Sequence, residues 1–167
     1  MKHLWAPWRT EYINAKQSGS CFLCTAAKQR RDEVNLILYR GRKAFIILNR
    51  FPYNNGHLMI APYRHVGALE KLTPAESHEL WELLRRSVLA LKAGVKPEGL
   101  NVGLNLGRVA GAGLETHIHI HVVPRWNGDT NFMPVAGQTK VISEALGQTY
   151  ARLRPHLRRK KGQRIQD

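Results

Sequence analysis

Residues 115–126 read ETHIHIHVVPRW, with three histidines at alternate positions in an otherwise β-favouring run. In a strand, alternate side chains share a face, with roughly 6.5 Å between positions i and i+2. The spacing therefore predicts His117, His119 and His121 on one face, and Ile118, Ile120 and Val122 on the other. The apolar face reads as core beneath a helix. Three imidazoles make poor core and are unnecessary on a solvated surface, so that face reads as chemistry. Two chemistries use such an array. Closely spaced imidazoles can share a transition metal. Alternatively, a neutral imidazole can attack phosphorus and carry the group as a phosphoramidate, while its neighbours bond the phosphate oxygens. The glycine-rich NLGRVAGAG (105–113) just upstream favours the second, because exposed backbone N–H groups suit a phosphate.

The rest of the chain supplies a frame for that strand. EVNLILYR (33–40) and KAFIILNR (43–50) read as strands joined by a hairpin at Gly41-Arg42. FPYNNG (51–56) is a turn by composition, and HLMIAPYRH (57–65) a third strand ending near Pro62. Thr73-Pro74-Ala75-Glu76 combines a capping Thr, a Pro at the first helical position and a Glu at the third. Leu80, Leu83, Leu84, Val88 and Leu91 then recur at helical spacing, and the helix is expected to stop near Gly94. GLNVGLNLG (99–107) is a fourth strand, RVAGAG (108–113) a flexible turn, and THIHIHVVPR (116–125) the fifth strand. A second helix fits 140–157, kinked or ended at Pro155. The expected class is α+β: an antiparallel sheet with few helices.

At 167 residues the chain is one domain of ordinary size, 43% hydrophobic and 23% charged, which excludes a disordered protein. No apolar stretch approaches the roughly 20 residues of a membrane helix. In MKHLWAPWRTEYI, Pro7, Trp8 and Arg9 interrupt the apolar run a signal peptide requires, so a cytoplasmic protein is expected. Lys and Arg exceed Asp and Glu by 26 to 12, a net +14, and seven of the 26 lie in the last 16 residues. That tail is either a solvated end or a surface that attracts polyanions. The remainder is also basic, which favours an anionic ligand, and no nucleic-acid partner is required. The two cysteines, Cys21 and Cys24, form CFLC, which reads as half a zinc site, a redox pair or two free thiols. Zinc would need two further ligands, expected to be histidines. The tryptophans Trp5, Trp8, Trp81 and Trp126 are expected to anchor the core or an interface, with Trp126 and Phe132 also candidates for the substrate's or a partner's surroundings. His3, His78 and His156 are expected at the surface.

HIHIHVV resembles the His-x-His-x-His-x-x signature, with apolar x, of the histidine triad (HIT) superfamily. LNRFPYNNGHLMIAPYRH (48–65) is similar to that family's ribose-binding strand pair, and NLGRVAGAG to its phosphate loop. LWAPWRTEYI and VVPRWNGDTNFMPV resemble the branch of bacterial diadenosine tetraphosphate phosphorylases and HIT hydrolases. The resemblance implies a HIT-like fold: a five-stranded antiparallel sheet with one long central helix and a C-terminal helix. It implies a single domain over 1–157, with the CxxC-bearing segment 1–32 packed on it, and a basic tail at 158–167.

The resemblance also implies an enzyme that cleaves dinucleoside polyphosphates at the α-phosphorus. His119 would become nucleotidylated, His121 would bind the phosphate, His117 would support the array and His57 would assist. Asn49 would bond the ribose, while Asn105, Gly107 and Gly113 would line the phosphate pocket. This chain has Gly113 or Leu114 where relatives often carry a polar Gln or Ser, so a side-chain donor to the leaving group is either missing or supplied by Thr116 or Arg108. In some bacterial members structural zinc sits on positions matching Cys21, Cys24, His65 and His117, and members are typically homodimers joined sheet edge to sheet edge. Three alternatives accompany this reading. They are a HIT hydrolase of adenosine phosphoramidates or AMP conjugates, a nucleotide-binding interaction module with vestigial activity, and a metal-dependent hydrolase with zinc on all three histidines.

Overall fold

A computed structural model describes residues 20–129 and 144–158. The sequence features at 1–19, 130–143 and 159–167 therefore lie outside the described residues. These are His3, Trp5, Trp8, Phe132, the start of the second helix and nearly all of the basic tail.

Five strands form one antiparallel sheet in the order β1-β2-β3-β5-β4: β1 Ile37–Arg40, β2 Ala44–Leu48, β3 Leu58–Pro62, β4 Gly99–Leu104 and β5 Ile120–Arg125. Both central strands β2 and β3 are buried at every position, which is why AFIIL and LMIAP are near-continuous apolar runs. The registers Ile46↔Ile60 and Leu58↔Val122 place these side chains on one face, with Leu48 and Ile120. That face packs under helix α2, Pro74–Gly94, and helix α3, Leu146–Leu157. On the opposite face, Phe45, Ile47, Met59 and Ala61 are covered by Leu23 and Ala26 of a two-turn helix α1, Phe22–Lys28. His121 pairs with Met59 across β5 and β3, so the histidines share the sheet face on which α1 lies.

Helix α2 starts and stops where the sequence predicts. Thr73 accepts from the Glu76 N–H, the Glu76 carboxylate accepts from the Thr73 N–H, and Pro74 opens the first turn. Leu80, Leu83, Leu84 and Leu91 are buried and Val88 is partly buried against them. Trp81 corrects an expectation: it is 69% exposed, one position off that stripe, and so is no core anchor. His78 and His156 are exposed, as expected. Helix α3 runs through Pro155 to Leu157 rather than ending there. Pro155 falls in the last turn, and the fully buried Leu153 and Leu157 hold both sides of it.

Two strands begin later than their sequence patterns suggest. Residues 31–36 form a turn, with Leu36 at φ 60° and the Ile37 N–H donating to the Asp32 carbonyl, so β1 starts at Ile37. The ladder of β5 begins at Ile120, so of the three histidines only His121 stands in the paired strand. Continuing the register beyond Ile60↔Ile120 would set Ala61 against His119 and then Pro62, which has no N–H to donate, against Ile118. The chain before β5 turns instead to the loop after β3, where the Ile118 N–H donates to the Val66 carbonyl at 2.7 Å. Alternation survives this change, and Ile118, Ile120 and Val122 are all buried.

Candidate active site

The site is assembled from β5 with its lead-in, the β2–β3 loop and α1. All three triad histidines are buried, at 0%, 8% and 9% exposure for His117, His119 and His121. Their proton positions follow from partners whose own roles admit no choice.

His119 Nδ1 lies 2.8 Å from the carbonyl oxygen of His117, which can only accept. Nδ1 therefore carries the proton and Nε2 the lone pair. Nε2 makes no hydrogen bond among the described residues, where every buried side-chain nitrogen and oxygen has a partner. It follows that Nε2 opens to solvent. The second chain starts at the Tyr53 backbone N–H, which donates to His57 Nδ1 at 3.0 Å. His57 Nε2 then carries the proton and donates to His121 Nδ1 at 2.9 Å. His121 is left with its proton on Nε2. One ring thus offers a lone pair and its neighbour an N–H, with ring centroids 4.7 Å apart.

Burial lowers the pKa of His119, and burial together with the charge of His119 pushes His121 down to about 4. Both rings are neutral near pH 7, as a nucleophile and a neutral N–H donor require. The Tyr53 ring packs over His57 and His121 at 4.6 and 5.5 Å between centroids. Sequence reasoning missed Tyr53, and its main-chain N–H left no signal in the side-chain pattern.

Asn49 is buried beside this chain. Its Nδ2 donates to His57 Nδ1 at 3.2 Å and its Oδ1 accepts from the Phe51 N–H at 2.9 Å. Asn105, Gly107, Gly113 and Thr116 lie in the one loop between β4 and β5. Asn105 Nδ2 ties that loop across to the Gly111 carbonyl at 3.3 Å, and Gly107 and Gly111 adopt φ of 86° and 91°, where a Cβ would be strained. A turn of 3-10 helix, Arg108–Ala110, occupies the stretch expected to be a flexible turn. Gly113 and Thr116 are exposed. Arg108 is paired with Glu115 at 3.0 Å. Trp126 is half-buried, its Nε1 donating to the Lys96 carbonyl.

The cysteines join the site through His117. Its Nε2 lies 2.9 Å from the Pro62 carbonyl, so Nε2 carries the proton and the Nδ1 lone pair faces the thiols. That Nδ1 is 3.2 Å from Cys21 Sγ and 3.4 Å from Cys24 Sγ, and His65 Nδ1 is 3.3 Å from Cys24 Sγ. The four ligand atoms all lie within 4.8 Å of one another. A tetrahedral zinc ion would set S···N edges of about 3.5 Å. The donor set and spacing therefore fit a metal ion. His119 and His121 are not members of the cluster, which argues against a metal shared by all three histidines. Sequence reading also missed that Cys21 caps a helix, its Sγ accepting from the Cys24 N–H.

The HIT domain family matches residues 30–128. The chain is 42% identical over 158 residues to AP-4-A phosphorylase of Mycobacterium tuberculosis, covering 89% of this chain and 80% of that protein. It is 29% identical over 93 residues to the asymmetrical bis(5'-nucleosyl)-tetraphosphatase of Schizosaccharomyces pombe, covering 56% of this chain and 50% of that one. A zinc-bound histidine triad family protein from Mycobacterium smegmatis superposes with a TM-score of 0.65 at 25% identity, over 83% of this chain and 93% of that one. The chain belongs to the HIT domain family and is an enzyme of it.

Proposed function

We propose that the protein cleaves dinucleoside polyphosphates at the α-phosphorus through a nucleotidyl-His119 intermediate. The carrying observation is the pair of tautomers: a solvent-facing lone pair on His119 Nε2 beside an N–H on His121 Nε2. His119 Nε2 forms a bond to phosphorus, and the bond to the distal phosphate oxygen breaks, releasing the remaining nucleotide. The His121 N–H meets a non-bridging oxygen as negative charge grows there. The His119 Nδ1–H goes on donating to the His117 carbonyl, which stabilises the ring as it becomes cationic. An acceptor oxygen then displaces His119, so two inversions at one centre give net retention.

With inorganic phosphate as acceptor the product is a nucleoside diphosphate. With water it is a monophosphate. The phosphorylase reading is preferred, because the relative at 42% identity bears that name. Asn49 keeps a second amide N–H for a ribose hydroxyl. The Asn105–Thr116 loop, with Gly107 and Gly113, would receive the phosphates through backbone N–H groups. Intact mass after quenching with diadenosine tetraphosphate tests the mechanism. An added nucleotidyl mass, absent from His119→Gly, is expected, and its absence from the wild-type chain would overturn the proposal.

Cys21, Cys24, His65 and His117 would hold a structural zinc ion. Bound zinc would tether α1 beside the triad and contribute folding energy rather than a reacting group. The thiols suit a cytoplasmic protein, where they stay reduced, and no helix among the described residues is long and apolar enough to cross a membrane. The chain is read as one HIT domain over 1–157 with a basic tail at 158–167. Strand β4 lies at the sheet edge with Val102 and Leu104 exposed, which supports a homodimer joined along that edge.

A further inference from the structure

Helix α1 and its N-cap residue carry two of the four candidate metal ligands, Cys24 and Cys21, yet the helix has only seven residues. A helix of that length is not stable alone in water. Its apolar side, Leu23 and Ala26, rests on the sheet, and its first turn is capped by the Cys21 sulfur. Its last carbonyls need partners that no residue after Lys28 in the helix can supply.

Arg40 supplies them from β1. Its Nη1 donates to the Ala27 carbonyl at 2.8 Å, and its Nη2 donates to the Ala26 carbonyl at 3.3 Å and to the Gln29 carbonyl at 2.7 Å. Nε donates to Asp32 Oδ1 at 2.9 Å, which fixes the plane of the guanidinium. Four hydrogen bonds from one planar fork leave the C-terminal end of α1 little freedom to turn. The other two candidate ligands stand outside α1: His117 leads into β5, and His65 follows β3. Arg40, on β1, therefore ties the helix that bears Cys24 and is capped by Cys21 to the sheet that positions His117 and His65.

We infer that Arg40 is a positioning residue for the metal centre, holding the CxxC helix in the orientation that completes the four-ligand set. The inference rests on the reading that Cys21, Cys24, His65 and His117 bind zinc. Without this clasp α1 could roll or fray, and part of the binding energy would be spent on ordering it. Lysine is not an equivalent replacement, since a single ammonium cannot span three carbonyls and a carboxylate at once. Partners that orient metal ligands in this way are typically worth about ten- to a hundredfold in affinity.

The test uses the full chain, stripped of metal and reduced. Zn²⁺ affinity is measured by competition with a chromophoric chelator, and Co²⁺ loading is followed by its thiolate charge-transfer and tetrahedral bands. Arg40→Met should weaken Zn²⁺ about ten- to a hundredfold and Arg40→Lys by less, with Co²⁺ bands altered in the same order. If Arg40 served the fold alone, its loss would lower the melting temperature of the metal-free protein and leave Zn²⁺ affinity at the wild-type value. That result overturns the inference. Should Arg40→Met fail to fold, Arg40→Lys decides, and wild-type affinity in that variant is equally fatal. A wild-type chain that binds no zinc removes the centre itself, and this is seen before any variant is made.

Discussion

His117 holds His119 by its backbone and the cysteines by its ring. Its carbonyl oxygen lies 2.8 Å from His119 Nδ1, and its own Nδ1 lies 3.2 Å from Cys21 Sγ. One residue thus connects the candidate metal cluster to the ring that offers a lone pair. The two functions use different atoms, so they can be separated by experiment.

His119→Gly removes that lone pair and leaves the pocket walls in place. Turnover of diadenosine tetraphosphate should fall by about 10³-fold or more, while equilibrium binding of the nucleotide changes little. Substantial residual turnover in the variant would show that another group attacks phosphorus.

His57 sets the tautomer of His121 from a position with no exposure to solvent. His57→Asn should lower kcat by about ten- to a hundredfold, the cost of one misdirected buried hydrogen bond, with a smaller change in KM. Steady-state kinetics at fixed phosphate would read both constants. A loss confined to KM would place His57 in substrate binding instead.

Chelation separates a structural metal from a catalytic one. With free zinc a hundredfold above Kd, the ion stabilises the fold by about 2.7 kcal/mol, which is about 5–10 °C in melting temperature for a domain of this size. Removing zinc should lower the melting temperature by that order and leave measurable turnover at 25 °C. Complete loss of activity with no change in melting would favour a metal at the reacting centre.

The pH dependence has a definite sign. His121 binds its proton near pH 4 in the folded state, against 6.5 for an unperturbed ring, because burial and His119 disfavour the cation. The unfolded chain therefore takes up more protons between pH 6.5 and 4, so stability falls as pH drops through that window. Glu76 is held at about 2 by the Arg64 guanidinium, so its share is present above pH 4.5 and is lost as pH falls toward 2. Denaturant melts between pH 3 and 8 should decline in that order. Activity should be insensitive to His121 near pH 7 and fall on the acid side as protonation of Nδ1 breaks the bond from His57.

Charge on the edge strand tests the assembly. Val102→Lys places an ammonium on exposed β4 and should shift sedimentation to the monomer, with the fold intact by far-UV circular dichroism. An unchanged dimer would move the interface elsewhere, and a monomeric wild-type chain would remove it.

Much of the fold was legible because its signals are local. The capping box at Thr73, the leucine stripe of α2 and the apolar runs of β2 and β3 each lie within a short window, and the structure follows them closely. Helix α1 was not legible, since seven residues carry too little periodicity and its ends are held by Cys21 and by the distant Arg40. The start of β5 is not legible for a similar reason: its partners are distant in the chain. THIHIHVVPR alternates throughout, but pairing with β3 stops at Ile60↔Ile120, and the Ile118 N–H turns to the Val66 carbonyl instead.

By its letters alone the chain picked out the candidate site residues. Alternation at 117, 119 and 121 marks three of them, and CFLC, completed through the family resemblance by His65 and His117, gives a candidate ligand set. Only the tertiary structure decided which nitrogen of each ring bears the proton and which ring turns toward the thiols. Those outcomes depend on contacts between residues far apart in the chain: Cys21 with His117 across 96 positions, and His57 with His121 across 64. Periodicity reports the face on which a side chain lies, whereas a proton's place is set by whatever acceptor or donor the fold brings against it.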